Sequence, residues 1–338
     1  MPRVVLTGVG GFIGHHCLEH FLDHTDWHIV GIDSFLHKGT VSRLNCVPNY
    51  DPERVTILRH DLAVPIDRAL ENQILGRTLE SEGEPIDIII NMASDSAVER
   101  SVTDPIPCLT NNYLLAIHML EFARKVKPRV YYQISTDEVY GEAGRTSHIE
   151  WDAIMPSNPY AASKAAQEAV AISYWRTYGV PVVITNTMNA IGEGQDKEKF
   201  LPKLIWKIAT DQQMEIYGEP GAIGSRFYLH AKNMADALIF LSKYPPAKYL
   251  SSPRPDRYNV VGDMELNNLE VAELIAEIMG KKLKYRLVPS ESARPGYDRR
   301  YALDGNKIEK MGWKPPLPTS VAFEKIVKWS LANPHWVV

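Results

Sequence analysis

Two adjacent carboxylic acids, Asp137 and Glu138, give this 338-residue sequence its clearest candidates for proton-transfer chemistry. They follow Thr136 in Ser-Thr-Asp-Glu-Val-Tyr-Gly (residues 135–141), directly after an apolar run that is typical of a strand. Burial at the mouth of an apolar sheet can raise the pKa of an acid, and two acids with different pKa values can serve as acid and base. Thr136 can hydrogen-bond a substrate hydroxyl. Neighbouring residues of a strand face opposite sides, so the sequence does not show that Asp137 and Glu138 both point into a site. The alternative is that they are solvated acids of a loop.

A tyrosine and a lysine stand four residues apart in Tyr-Ala-Ala-Ser-Lys (residues 160–164), after a Ser-Asn-Pro segment that can begin a helix. Residues i and i+4 share one helix face, so Tyr160 and Lys164 can act together. A tyrosine base needs its pKa lowered from about 10 towards 7, which costs roughly 4 kcal/mol. A cation about 4 Å away supplies about 4 kcal/mol at an effective dielectric constant near 20, so Lys164, helped by an oxidised nicotinamide, suffices. Without an adjoining nucleotide site, a surface tyrosine and lysine are the simpler interpretation.

A glycine-rich turn predicts such a nucleotide site. Thr-Gly-Val-Gly-Gly-Phe-Ile-Gly (residues 7–14) follows an apolar strand and opens a helix, where glycines let backbone N–H groups approach a pyrophosphate. Asp33 ends the next strand, where a carboxylate accepts hydrogen bonds from ribose hydroxyls and repels a 2′-phosphate. The sequence therefore predicts NAD rather than NADP, with Asp61 and Leu62 as candidate adenine contacts. A structural glycine turn and a solvated strand-end acid are the alternatives.

Short apolar runs alternate with longer helical patterns in the first half of the chain. Strands are predicted at residues 4–7, 28–33, 55–60, 86–92, 130–135 and 182–186. Helices are predicted near residues 12–24, 107–126 and 160–178. This alternation indicates βαβ units and a parallel sheet covered on both faces. The fold class we predict is α/β: a Rossmann-type doubly wound parallel sheet with a smaller α/β substrate-binding C-terminal domain.

The pattern changes after residue 187, where Pro and Gly become more frequent. Further helices are predicted near residues 198–210, 230–243, 267–279 and 319–332. We therefore predict an NAD-binding domain, residues 1–187, and a substrate-binding domain, residues 188–338. Residues 226–245 are expected to pack back on the first domain.

The composition is that of a globular protein, with 45% hydrophobic and 23% charged residues. A formal net charge of −4 argues against nucleic acid or an anionic membrane surface as a partner. No apolar run approaches the roughly 18 residues of a membrane span, and the first strand begins too near Met1 for a signal peptide. Three cysteines stand in no disulfide or metal-ligand spacing. We therefore expect a cytoplasmic protein.

Three histidines, His16, His20 and His24, recur every four residues on the first predicted helix, a spacing that can bind a metal ion. Leu18 and Phe21 supply an apolar packing face for this helix, which would place the histidines on its solvated face. Hydride chemistry also needs no metal. We predict no metal site.

The motifs together resemble the extended short-chain dehydrogenase/reductase family and, within it, the nucleotide-sugar 4,6-dehydratases, in particular those of dTDP-glucose. The resemblance runs nearly end to end. Besides the glycine turn and the Tyr–Lys pair, it is carried by residues 135–141, by Asp-Ser-Ala-Val-Glu-Arg-Ser at 95–101 and by Arg-Pro-Gly-Tyr-Asp-Arg-Arg-Tyr at 294–301.

The resemblance implies a three-step cycle on a nucleoside-diphosphate hexose, with NAD bound throughout. Tyr160 takes the proton of the 4-hydroxyl as hydride leaves C4. Glu138 then removes the C5 proton, Asp137 protonates the departing 6-hydroxyl, and hydride returns to C6. The catalytic set it implies is Thr136, Asp137, Glu138, Tyr160 and Lys164.

The resemblance also implies which residues bind each ligand. The cofactor set is Gly8, Gly11, Phe12, Ile13, Gly14, Asp33, Ser34, Asp61, Leu62, Met92, Ala93, Ser94, Asn111, Tyr160 and Lys164. The substrate set is Ser96, Asn189, Lys199, Tyr217, Arg226, Asn259 and Arg294. Within it, Arg226, Asn259 and Arg294 hold the diphosphate, and Tyr217 stacks on the base. Family members usually form a homodimer through the helices predicted near 107–126 and 160–178.

Several positions depart from the family pattern. Asn91 stands in place of a histidine beside the cofactor, Ala97 in place of a histidine near the sugar, and Asn186 in place of an arginine. These departures leave the base open among dTDP, UDP, CDP and GDP, and they leave the sugar open too. In this family a 4-epimerase needs no acid pair, a decarboxylase often has serine in place of Asp137, and a non-catalytic NAD-binding regulator tends to lose the tyrosine or lysine. The dehydratase is therefore the function we predict.

Overall fold

A seven-stranded parallel sheet lies at the centre of the computed structural model, which describes residues 1–289 and 295–337. The strands, in chain order, are β1 (Arg3–Thr7), β2 (His28–Asp33), β3 (Val55–Arg59), β4 (Ile88–Asn91), β5 (Val130–Thr136), β6 (Val182–Thr187), β7 (Asn189–Ile191), β8 (Met214–Glu219), β9 (Ala222–Ile223), β10 (Ser225–His230), β11 (Asp256–Val260), β12 (Glu265–Asn267), β13 (Tyr285–Val288) and β14 (Arg300–Tyr301). The order across the central sheet is β11-β6-β5-β4-β1-β2-β3. The predicted α/β class with a doubly wound parallel sheet is confirmed.

Helices cover both faces of this sheet and recur through the rest of the chain. They are α1 (Phe12–His24), α2 (Val41–Leu44), α3 (Arg68–Leu75), α4 (Val98–Thr103), α5 (Pro105–Val126), α6 (Pro159–Tyr178), α7 (Phe200–Ala209), α8 (Ala231–Leu241), α9 (Asn268–Ile278), α10 (Asn306–Lys310) and α11 (Thr319–Ala332). Short 3-10 turns span Asp137–Tyr140 and Pro334–Trp336. Across residues 1–289 and 295–337, every helix is too short or too polar to traverse a lipid bilayer.

The continuous apolar runs of the strands follow from this double coverage. Val4 and Leu6 of β1 pack into a core shared with α1 and α8, whereas Val5 packs into the opposite core with α5 and α6. Full burial of such a side chain contributes about 1.5–3 kcal/mol relative to leaving it exposed. Both faces of β1 therefore favour apolar residues, and strict alternation of apolar and polar residues disappears.

A smaller lobe contains two further sheets and its own core. One sheet has the order β12-β10-β14, with β7 paired to β10, and the other has the order β13-β8-β9. Leu204, Ile275 and Phe323, from α7, α9 and α11, lie at the centre of its core. The chain then returns to the large sheet: α8 packs on α1, and β11 pairs with β6 as an edge strand. The two lobes are therefore interleaved, and a division at residue 187 stays a prediction.

The local sequence around residue 158 positions the helix that carries the Tyr–Lys pair. Asn158 caps α6, its side-chain oxygen accepting a hydrogen bond from the Ala161 N–H, and Pro159 occupies the first turn. Gly179 ends the helix in the left-handed conformation at φ +71°. Tyr160 consequently lies in the first turn of α6, next to the carboxyl end of β5.

His16 and His20 of α1 are buried, contrary to the expectation of a solvated face, whereas His24 at the end of the helix is exposed. His16 and His20 are 2% and 7% exposed, because the sheet covers one side of α1 while α8 and the loop after β7 cover the other. The His16 Nε2 lies 2.8 Å from the Glu193 carbonyl oxygen. Burial lowers the pKa of His16 well below its ordinary value, which keeps the ring neutral. Among the residues described, no three His, Cys, Asp or Glu side chains form a group that could hold a metal ion.

Candidate active site

A cleft of about 310 Å³ opens at the carboxyl ends of the parallel strands, the edge at which open α/β sheets bind ligands. Segments far apart in the sequence meet there. The predicted site residues that line it are Gly8, Gly11, Phe12, Ile13, Gly14, Asp33, Ser34, Asp61, Leu62, Met92, Ala93, Ser94, Ser96, Asn111, Thr136, Asp137, Glu138, Tyr160, Lys164, Asn189 and Lys199. One cleft therefore brings the predicted cofactor and catalytic residues together with part of the substrate set.

The backbone around the glycine turn packs so closely that a side chain at Gly8 or Gly14 would collide with it. Gly8 has φ +73°, and a Cβ there would lie 3.0 Å from the Ala93 Cα. A Cβ on Gly14 would lie 2.0 Å from the Gly8 carbonyl oxygen. Gly11 caps α1 without a side chain, so the backbone N–H groups of the first turn face the cleft and suit a diphosphate.

Asp33 joins the end of β2 to this turn. One carboxylate oxygen accepts a hydrogen bond from the Gly10 N–H at 2.9 Å, and the other accepts one from the Phe35 N–H at 2.9 Å. Each carboxylate oxygen can accept a second hydrogen bond, so Asp33 can also accept hydrogen bonds from ribose hydroxyls. The residues present therefore fit a dinucleotide whose ribose carries no 2′-phosphate.

The two acids follow β5 in a tight turn, and both line the cleft. The 3-10 turn after Thr136 breaks the strand alternation that left their orientation open. One Asp137 oxygen accepts hydrogen bonds from the Thr136 hydroxyl at 2.8 Å and the Glu138 N–H at 3.0 Å. Within the described chain, the other oxygen is buried without a hydrogen-bond partner. Burial, reinforced by the Glu138 charge, raises the pKa of Asp137 to about 7.

The raised pKa of Asp137 predicts a pH-dependent stability. The folded state keeps the Asp137 proton up to about pH 7, whereas the unfolded chain, with the ordinary pKa of 3.8, releases it earlier. The stabilisation is therefore complete below about pH 4 and is lost as the pH rises to about 7, an effect of up to about 4 kcal/mol. Asp137→Asn should gain stability relative to the unsubstituted protein over this range, measured by urea unfolding of cofactor-free protein. A stability difference that stays constant with pH would contradict it.

The Tyr–Lys pair differs from expectation in its electrostatics. Lys164 is buried, and its ammonium donates to the Ile134 carbonyl at 2.6 Å and the Gln167 side-chain oxygen at 2.7 Å. Burial lowers the pKa of Lys164 to about 8. Burial, together with Glu138 and Asp137, raises the pKa of Tyr160 well above its ordinary value, the opposite of the direction expected from Lys164 alone. The charge that opposes this increase must therefore arrive with a cofactor.

A chain of buried amides leads to Lys164, and sequence reasoning missed it. The Thr7 hydroxyl donates to Asn91, Asn91 donates to Gln133, and Gln133 donates to the same Gln167 oxygen that accepts from Lys164. All four of these side chains are fully buried. A single amide within an apolar strand run, as at Asn91 and Gln133, was the available signal, because a buried amide needs partners. Asn91 thus links the glycine turn to the lysine.

The smaller lobe adds a half-buried arginine beside aromatic rings. The Arg226 guanidinium lies 5.4 Å from the Tyr297 ring and 5.1 Å from the Tyr301 ring, and one nitrogen donates to the Asp298 carbonyl at 3.3 Å. Its other terminal nitrogen is buried with no partner in the described segments. The Tyr217 ring is 6.3 Å from that of Tyr297. An unused guanidinium donor suits a phosphate oxygen, and the rings suit a flat base.

Three members of the predicted substrate set, Tyr217, Arg226 and Asn259, do not line the cleft in the structure. Asn259 is fully buried on β11, and its amide nitrogen donates to the His148 and Asp304 carbonyls at 3.0 and 3.1 Å. These bonds hold two loops to the sheet edge, so the predicted diphosphate contact of Asn259 is not seen. Arg294 lies outside the described residues.

Asn186, which departs from the family's arginine, belongs to a buried polar cluster behind α6. Asn186 donates to one Glu168 oxygen at 2.8 Å and to the Thr136 carbonyl at 3.1 Å. Arg257 of β11 forms a buried ion pair with the other Glu168 oxygen. Glu168 belongs to α6, so this cluster ties the helix that carries Tyr160 to β6 and β11.

Comparisons with known proteins give one consistent result. A family model described as GDP-mannose 4,6 dehydratase matches residues 5–328. The chain is 31% identical to a dTDP-glucose 4,6-dehydratase of Shigella flexneri, over 99% of this chain and 94% of that protein. Among solved structures, DesIV (dTDP-glucose 4,6-dehydratase) of Streptomyces venezuelae with NAD and TYD bound has a TM-score of 0.84 at 28% identity, covering 99% of this chain and 98% of that one. The UDP-glucose 4-epimerase of Thermus thermophilus has a TM-score of 0.80 at 24% identity. The match covers 97% of this chain and 98% of that one, and it shows a shared fold.

Proposed function

Because this chain belongs to the GDP-mannose 4,6 dehydratase family, we propose that it is an NAD-dependent hydro-lyase that dehydrates a nucleoside-diphosphate hexose to its 4-keto-6-deoxy form. The observation that carries the proposal is that one cleft contains the glycine turn, the Tyr–Lys pair and the acids Asp137 and Glu138. The acid pair distinguishes elimination from a reaction that only moves hydride at C4. A dTDP-glucose-like sugar is the first candidate, given the names of the relatives.

In this proposal the cofactor is NAD. Gly8, Gly11 and the first turn of α1 would hold its diphosphate, and Asp33 would hold its adenosine ribose. When bound, NAD would supply an acceptor for the sugar's hydride and a donor for its return, so the cycle would consume no cofactor. Met92, Ala93 and Ser94 would line its nicotinamide half, because they follow β4 at the same edge.

The chain's own residues then divide the proton transfers. Tyr160 takes the 4-hydroxyl proton, and Thr136 hydrogen-bonds the same region of the sugar. Once C4 is a ketone, the C5 proton is acidic and Glu138 removes it. Asp137 gives its proton to the 6-hydroxyl, the C6–O bond breaks, and water leaves with formation of a C5=C6 bond. Hydride at C6 and a proton at C5 complete the product, so the net change is loss of one water.

The remaining predicted contacts concern the nucleotide half of the substrate. Arg226 would bind the diphosphate with its unused terminal nitrogen, and Tyr217 would stack on the base. Ser96, Asn189 and Lys199 would line the sugar end, and Asn189 has a buried side-chain nitrogen with no partner among the residues described. We include Arg294 on the resemblance alone.

The proposal extends to assembly and location. We propose a homodimer in which α5 and α6 pack against a second copy, because Ile106 and Tyr113 of α5 and Tyr178 of α6 expose large apolar surfaces. We also propose a cytoplasmic location, because all three cysteines are free.

A panel of dTDP-, UDP-, CDP- and GDP-hexoses tests the reaction. We expect one nucleotide class to yield a product lighter by one water, with no net consumption of added NAD⁺, measured by mass spectrometry. A Tyr160→Phe preparation, purified identically, controls for contaminating enzymes. A product of unchanged mass with inverted C4 would replace the dehydratase by an epimerase. Loss of CO₂ would indicate a decarboxylase, and cofactor binding without any turnover would favour a regulator.

A further inference from the structure

Asn158 connects the cap of α6 to the catalytic turn. It is 5% exposed, and its side-chain oxygen accepts the Ala161 N–H at 2.9 Å. That bond fixes which end of the amide faces the helix. The nitrogen therefore points the other way, and it donates to a Glu138 carboxylate oxygen at 3.0 Å. One side chain thus sets both the start of the helix that carries Tyr160 and a hydrogen bond to Glu138.

This contact makes the environments of the two adjacent acids unequal. Glu138 receives a side-chain donor from outside its own turn, whereas the Asp137 hydrogen bonds come from Thr136 and from the Glu138 backbone. A donor to a carboxylate favours its ionised form. The free oxygen of Asp137 has no such donor in the part of the chain that the structure describes. The two adjacent acids therefore differ in their hydrogen bonds: a side chain at the start of α6 holds Glu138, whereas one oxygen of Asp137 is unoccupied among the described residues.

We infer that Asn158 is a positioning residue that holds the Glu138 carboxylate correctly oriented to remove the C5 proton. The inference rests on the proposed function for the identity of that proton. It assigns Asn158 a role beyond helix capping. A serine or an aspartate at this position could also cap the helix. What asparagine adds is the amide donor.

The decisive variant is Asn158→Ser, because serine caps a helix as well as asparagine but is too short to reach Glu138. We expect the C5 step, followed by deuterium uptake from D₂O into product, to slow by roughly 10- to 100-fold, as for loss of one hydrogen bond to a charged group. The first oxidation and KM should stay within about threefold, because Tyr160 and its helix remain in place. Asn158→Asp, which keeps the cap and adds a negative charge, should slow the C5 step further.

Asp67→Ser is the matched control, because Asp67 caps α3 by the same kind of hydrogen bond, accepted from the Leu70 N–H, and does not line the cleft. It should leave every step unchanged. Equal losses in oxidation and C5 exchange in Asn158→Ser, together with a lower melting temperature, would reduce Asn158 to a helix cap. An unchanged C5 rate would overturn the inference as well.

A second readout works without turnover. The infrared difference between the unsubstituted protein and Glu138→Gln isolates the Glu138 carboxylate bands, which can be compared in each background. We expect these bands to shift in Asn158→Ser, because the carboxylate loses one hydrogen bond. Unshifted bands would overturn the inference. If the unsubstituted protein releases no water from any nucleotide hexose, the proposed function fails, and these spectra still decide the role of Asn158.

Discussion

Asp137→Asn should stop the reaction after the first oxidation and before water leaves. Asparagine has the shape of the acid but cannot protonate a departing 6-hydroxyl, so we expect water loss to slow by about 10²- to 10⁴-fold, the usual contribution of one general acid. Asp137 suits that role because it is 4% exposed and burial raises its pKa to about 7, which keeps a proton available near neutral pH. Product mass and the absorbance of the reduced cofactor, recorded in one reaction, report the two steps separately.

Tyr160→Phe is the matched comparison, because it removes the base of the first step and leaves both acids in place. We expect no reduced-cofactor absorbance and no water loss from it. Asp137→Asn should instead accumulate the absorbance as elimination stalls. Water loss at the unsubstituted rate in Asp137→Asn, or an equal loss of both steps, would show that another group protonates the leaving hydroxyl.

The sheet could be predicted from sequence wherever burial determines the pattern. The six predicted strands all lie in the central sheet, and the predicted helix over residues 12–24 matches α1. The seventh strand, β11, was not predicted. Its sequence, Asp-Arg-Tyr-Asn-Val, has polar residues inside a buried sheet edge, and these are tolerated because Arg257 finds Glu168 and Asn259 finds two carbonyls. Such partners lie far away in sequence, so a local pattern cannot reveal them.

The candidate site was likewise predictable only in part. The residue types and spacings predicted the glycine turn, the acids and the Tyr–Lys pair. They could not predict that a 3-10 turn directs both Asp137 and Glu138 into the cleft, because the alternation rule applies only inside the strand. They also could not predict what Lys164 contacts. A shared helix face places Lys164 near Tyr160, yet its ammonium is held by Gln167 and the Ile134 carbonyl.

The largest stability effect is expected at the ion pair behind the catalytic helix. Arg257 and Glu168 are 1% and 0% exposed, and Arg257 also lies over the Trp151 ring at 4.3 Å. Arg257→Met keeps much of the side-chain volume but leaves the Glu168 carboxylate buried with Asn186 as its one remaining side-chain donor among the described residues. Removing one partner of a buried ion pair costs roughly 3–5 kcal/mol, so we expect a loss of that size in the free energy of unfolding, measured with urea.

The double variant Arg257→Met/Glu168→Gln separates two effects on stability: the unpaired Glu168 charge and the lost packing of Arg257 on Trp151. A neutral glutamine still accepts the Asn186 hydrogen bond, so we expect the double variant to recover more than half of the loss, since replacing both charges of a buried pair is often nearly neutral. Equal losses in the single and double variants would assign the effect to packing on Trp151 instead. Asn186 also donates to the Thr136 carbonyl at 3.1 Å, which ties Glu168 to the catalytic turn. The single variant should therefore lose activity even at temperatures where it stays folded, and the double variant should regain part of it.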